Sequence, residues 1–150
     1  MENHNKKRKL NILSFLIILI FSKSVSQDLS DSSIYSYVIM NITEGTNKIY
    51  YDQSSSFTKP DEVYVNGIIQ ENKAFQVFNK DENNATLIWR HPITSCAEMF
   101  RDCGHIIEMD FSHFNISQVT KTIRMFNNCK MLKSLNLSNF SIYKINGNEI

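Results

Sequence analysis

Apolar and polar positions change rhythm twice along this chain. Leu10 to Phe21 form an apolar run broken only by Asn11 and Ser14. From Ile34 onward, short stretches rich in Tyr, Val and Ile alternate with polar residues, the pattern of half-buried strands. Strands are expected over residues 34–42, 48–51, 74–78 and 86–89, with a turn at residues 44–47 and loops at 52–56 and 79–84. Asn66-Gly67 between the apolar segments 63–65 and 68–69 predicts a two-residue hairpin, because both positions tolerate the positive φ that such a turn requires.

In the second half the apolar grid returns every 26 residues. Met99-Phe100 recurs as Met125-Phe126, and Cys103 as Cys129. Ile106, Met109 and Phe111 recur as Leu132, Leu135 and Leu137, and Ser112 and Phe114 as Ser138 and Phe140. Ile93, Val119 and Ile145 share one register. A constant period with constant spacing is the pattern of a solenoid, in which equivalent apolar positions stack as ladders from coil to coil. Met109 with Phe111, and Leu135 with Leu137, lie two apart and face inward from a short strand, which turns Asp110 and Asn136 outward. Residues 120–129 read as a short helical turn, with Val119, Ile123 and Phe126 facing inward together. The fold class expected is therefore α/β: two full 26-residue coils over residues 91–150, preceded by a small antiparallel β leader over residues 34–90.

The head of the chain has a different logic. Lys6-Lys7-Arg8-Lys9, the apolar run and the small residues Ser24-Val25-Ser26 follow the order of a secretory signal peptide. The run is about a dozen residues, short of the roughly 20 a spanning helix needs. Residues 1–26 are thus expected to be removed, with 27–33 a polar lead-in. Residues 1–26 hold five of the 16 Lys/Arg and one of the 15 Asp/Glu, so the remainder carries 11 basic against 14 acidic side chains, a net charge of −3. Nucleic-acid binding needs a concentrated basic surface, which this balance does not provide.

The string Cys96-Ala97-Glu98-Met99-Phe100-Arg101-Asp102-Cys103, with Glu108-Met109-Asp110-Phe111-Ser112-His113-Phe114 and Met125-Phe126-Asn127-Asn128-Cys129, resembles the BspA-like leucine-rich repeat of 26-residue-repeat surface proteins. Leu135-Asn136-Leu137-Ser138-Asn139-Phe140 looks like its strand motif, and residues 59–67 with 87–89 are similar to the leader of protist members. Phe114 and Phe140 stand where ordinary leucine-rich repeats place Asn, as in the BspA-like type. The resemblance covers roughly residues 34–146. It implies a leucine-rich-repeat-like solenoid, a secreted or cell-surface location, and a role in adhesion or recognition without chemistry or cofactor. Two complete coils are fewer than the three that usually stabilise such an array, so the sequence reads as a truncated member.

Cys96, Cys103 and Cys129 would enter an oxidising compartment. Cys103 and Cys129 share a repeat position and form either a ladder of buried thiols or a disulfide; Cys96 with Cys103 is a further pairing. His91, His105 and His113 show no metal-ligand spacing, and neither a phosphate loop nor a nucleophile elbow is present. No metal or cofactor is expected, and no enzyme activity. Sequons at Asn41, Asn84, Asn115, Asn136 and Asn139 are candidate glycosylation sites. Outward strand positions give a candidate binding face: Glu108, Asp110, His113, Ser134, Asn136 and Asn139. The partner expected is an extracellular protein or glycan, with membrane contact only through an uncleaved signal anchor or a C-terminal anchor. The alternative is a structural spacer or cap belonging to a larger surface protein.

Overall fold

A computed structural model describes residues 36–71, 74–78 and 83–140. The expected signal peptide and lead-in, residues 34–35 of the first expected strand, most of the expected 79–84 loop and the repeat position Ile145 lie outside the described residues. The elements are β1 (Ser36–Ile42), β2 (Gly45–Lys48), β3 (Glu62–Val65), β4 (Ile68–Gln70), β5 (Phe75–Phe78), β6 (Asn83–Trp89), β7 (Ile106–Asp110) and β8 (Ser134–Asn136).

Six of them form one mixed sheet in the order β4-β3-β6-β1-β7-β8. Every neighbouring pair is antiparallel except β7 and β8, which run parallel. Strands β2 and β5 form a separate antiparallel ribbon. The alternation in β1 explains its central place. Val38, Met40 and Ile42 point inward and are at most 3% exposed, while Tyr37, Ile39 and Asn41 point outward. Val65, Ala85, Met40, Met109 and Leu135 lie in one row across five strands, and this inner row is the floor of the core.

The expected α/β leucine-rich-repeat-like solenoid is overturned: the described fold is all-β. No helix forms among the described residues, and the repeat strands complete the leader's sheet instead of forming a stack of their own. The reason lies in how the backbone N–H groups of residues 96–103 are spent. Those of Met99, Arg101 and Cys103 donate three residues back, to the carbonyls of Cys96, Glu98 and Phe100. Those of Cys96, Glu98, Phe100 and Asp102 donate instead to Lys121, Ile123, Met125 and Asn127 of the following segment. A helix over these residues would instead send the N–H groups of Phe100 to Cys103 to the carbonyls four residues back. Positive φ at Glu98 and Asp102, and at Arg124 and Asn128 one period on, sets this succession of turns. Helical spacing therefore fails for Ile123, which is 42% exposed, although Val119 is buried and Phe126 partly so.

The 26-residue spacing itself appears as register: Glu108, Met109 and Asp110 pair with Ser134, Leu135 and Asn136. Phe100 stacks on Phe126 with centroids 6.0 Å apart, and Phe114 on Phe140 at 6.2 Å. Phe111 stands edge-on to all four, at 5.3 to 5.7 Å. Offset and edge-on aromatic pairs add roughly 0.5–1.5 kcal/mol each beyond their burial, so this cluster ties the two segments together.

The Asn66-Gly67 hairpin forms as expected, with φ of 50° and 79°. The turn expected at residues 44–47 does not. Gly45–Lys48 is strand β2 and pairs with β5, because both edges of β1 are taken by β6 and β7 and no returning strand can lie beside it. The Asn47 side chain, buried, donates to the carbonyls of Thr43 (2.7 Å) and Glu44 (3.2 Å), turning the chain off the main sheet before Gly45. Trp89 closes the core end of β6, donating from Nε1 to the Thr58 carbonyl at 2.7 Å and standing edge-on to Phe114 at 5.5 Å.

Candidate recognition surface

The outward face of the sheet is laid out in rows fixed by strand register. One row runs Ile69, Tyr64, Thr86, Ile39, Asp110, Asn136 across all six strands. Beside it runs Asn84, Asn41, Glu108, Ser134. Four of the expected face residues, Glu108, Asp110, Ser134 and Asn136, are thus mutual neighbours on β7 and β8. His113 and Asn139 lie in the turns that follow these strands; His113 stacks on Tyr37 of β1 (4.6 Å, 13° between planes), and Asn139 donates from Nδ2 to the Ser112 carbonyl.

Hydrogen bonds within the face hold its polar groups in place. Asn41 Nδ2 donates to Glu108 Oε2 at 2.7 Å, and Asn136 Nδ2 to Asp110 Oδ1 at 2.9 Å. The same Asp110 oxygen accepts the Ser112 backbone N–H at 2.8 Å. Asp110 thereby fixes both the next strand and the turn that carries His113. Burial, and secondarily the Asp110 charge, pushes the Tyr37 hydroxyl up to about 12, so it stays protonated and available as a donor at neutral pH.

Tyr37, Ile39, Asn41, Tyr64, Asn84 and Thr86 also belong to this face, and reading the sequence did not bring them to it. The alternation in residues 36–42 shows that Tyr37, Ile39 and Asn41 share a side. Nothing in the sequence shows that the side is shared with Asp110, since β1 and β7 are separated by more than sixty residues. Three of the five sequons, at Asn41, Asn84 and Asn136, are on the face, and Asn41 stands directly opposite Asn84. Asn139 occupies a turn, and Asn115 lies in the irregular segment between the turns at 112–113 and 117–118.

Cys96, Cys103 and Cys129 are free thiols, the first two buried and the third partly so. Cys129 donates to the Phe100 carbonyl at 3.1 Å, bonding from the second repeat segment to the first. Burial pushes the Cys96 thiol up to about 12 and Cys129 to about 11, and raises Cys103 well above its ordinary value. Thiols so raised are poor nucleophiles at neutral pH. His105 and His113 are both exposed. Among the described residues no group of three or more His, Cys, Asp or Glu could hold a metal ion, and no helix is long and apolar enough to cross a membrane.

No family model, curated protein or solved structure matches this chain.

Proposed function

We propose that this protein acts outside the cell as a non-catalytic recognition protein, secreted or held at the surface, whose outward sheet face meets a protein or glycan. The observation that carries this reading is the arrangement of Glu108, Asp110, Ser134 and Asn136 beside Asn41 and Tyr37, with Glu108 held by Asn41 and Asp110 by Asn136 through hydrogen bonds. Polar groups already held in place lose little conformational freedom on binding, which is how a rigid face gains affinity. Half-buried tyrosines among amides and carboxylates suit sugars and polar peptide surfaces alike. Resemblance to the 26-residue-repeat surface proteins supports the same location and role.

A second reading, a structural cap, draws on a different observation. The leader covers one side of the first repeat segment: β1 pairs with β7, the Tyr51 N–H donates to the Met99 carbonyl at 2.9 Å, and Phe57 bridges Cys96. One experiment separates the two. The full chain, secreted from eukaryotic cells and labelled, is applied to a glycan array and a panel of extracellular matrix proteins, alongside an Asp110→Lys/Glu108→Lys variant of matched thermal stability. Recognition by the face predicts binding that the variant loses at least tenfold. Binding that the variant retains, or none by either protein, leaves the cap as the better account.

A further inference from the structure

The edge beyond β8 has a chemistry unlike the polar face. Residues 111–140 carry four basic side chains, Lys121, Arg124, Lys130 and Lys133, all exposed, and no Asp or Glu. Residues 91–110 are the reverse, with Glu98, Asp102, Glu108 and Asp110 against Arg101. Glu98 and Arg124 hold the same repeat position, so an acidic segment already lies against a basic one within this chain.

The backbone and the core are also incomplete along this edge. In the first segment the N–H groups of Glu98, Phe100 and Asp102 donate to the second segment at 2.9 Å each. The N–H groups one period on, of Arg124, Phe126 and Asn128, have no partner among the described residues. Phe126, Leu132, Leu135, Leu137 and Phe140 are only partly buried, whereas their counterparts Phe100, Ile106, Met109, Phe111 and Phe114 are at most 2% exposed. Strand β8 is the last of the sheet among the described residues. A strand edge with no partner among the described residues, lying over apolar side chains, is a template for adding a further chain segment.

A second copy of this protein fits poorly. Its own acidic segment is already covered by β1, Tyr51 and Phe57. Two copies meeting edge to edge would set four basic residues against four. We propose that the β8 edge docks an acidic polypeptide segment of a partner protein, which lies along β8, supplies carbonyl acceptors to the three N–H groups and covers the partly buried apolar residues. This surface is distinct from the polar face, so the proposal stands or falls separately from the recognition reading.

Two labelled peptides with the same apolar grid and opposite charge test it on the full chain by fluorescence anisotropy. One spans residues 94–114, acidic; the other spans residues 120–140, basic; serine replaces cysteine in both. The acidic peptide is expected to bind at least tenfold tighter, and more weakly as salt rises from about 50 to 200 mM. Lys130→Glu with Lys133→Glu, both exposed, should reverse the preference while leaving the Trp89 fluorescence melting curve in place. Equal binding of both peptides, binding of neither, or loss of the acidic peptide's advantage to a heparin fragment that alone binds would each overturn the proposal. So would a dimer in sedimentation velocity that survives the charge reversal.

Discussion

Phe111 is the side chain on which the junction of the two repeat segments depends. It is fully buried and stands edge-on to Phe100, Phe114, Phe126 and Phe140. Replacing it by Ala removes a ring from a closed cluster, and such changes cost about 3–5 kcal/mol when the site collapses only partly. Collapse is hindered here because Phe100/Phe126 and Phe114/Phe140 are each stacked pairs held in register by the ladder between segments. Four lost edge-on pairs place the expectation at the upper end, about 4–5 kcal/mol. Since a small domain holds only about 5–15 kcal/mol in total, Phe111→Ala should leave a barely stable chain. Phe111→Leu, the residue found one period on at Leu137, should lose about 1–2 kcal/mol. Urea unfolding followed through Trp89, the single tryptophan, reads both. A loss below about 1.5 kcal/mol for Phe111→Ala would refute the idea that the cluster joins the segments.

Other consequences are equally direct. Thr122 is fully buried and its hydroxyl has no hydrogen-bond partner among the described residues, so Thr122→Val should stabilise by about 1 kcal/mol in the same unfolding assay; destabilisation would show that the hydroxyl is bonded. Gly67 has φ of 79° and open space where a Cβ would stand, so Gly67→Ala should cost about 1–2 kcal/mol from backbone strain alone, seen as a lower Tm. The raised thiols and Tyr37 make folding stability sensitive to alkali. Their neutral forms are favoured in the fold, so this contribution is complete below the ordinary thiol value of 9 and declines as pH rises through about 11 for Cys129 and about 12 for Cys96 and Tyr37. Unfolding midpoints that stay level across that range would contradict the burial argument. Iodoacetamide at pH 8 should label none of the three cysteines in the native chain and all three after unfolding; fewer than three after unfolding would reveal a disulfide.

Local order was written plainly in the chain. Alternation over residues 36–42 gave β1 its two faces, Asn66-Gly67 gave the hairpin its positive φ values, and the 26-residue period gave β7 and β8 their register. These follow from short-range rules: side chains alternate along a strand, few residues accept positive φ, and equal spacing aligns equal positions. The outward placement of Asp110 and Asn136 came from the same alternation.

What the chain by itself could not determine is which segments share a sheet. Residues 120–129 satisfy a helical spacing of apolar side chains, but the carbonyls of Lys121, Ile123, Met125 and Asn127 accept from the N–H groups of Cys96, Glu98, Phe100 and Asp102, and hydrogen bonding to a neighbouring segment took precedence over spacing. Residues 44–51 read as a turn and a return, but β1 had both edges filled by strands far away in sequence. The candidate face depends on the same long-range choice. Pairing of β1 with β7 brings Asn41 to Glu108 and Tyr37 to His113, and neither contact leaves a trace in spacing or composition. Hydrogen bonds between distant strands use identical backbone groups whatever the sequence, so only tertiary packing could decide between partners.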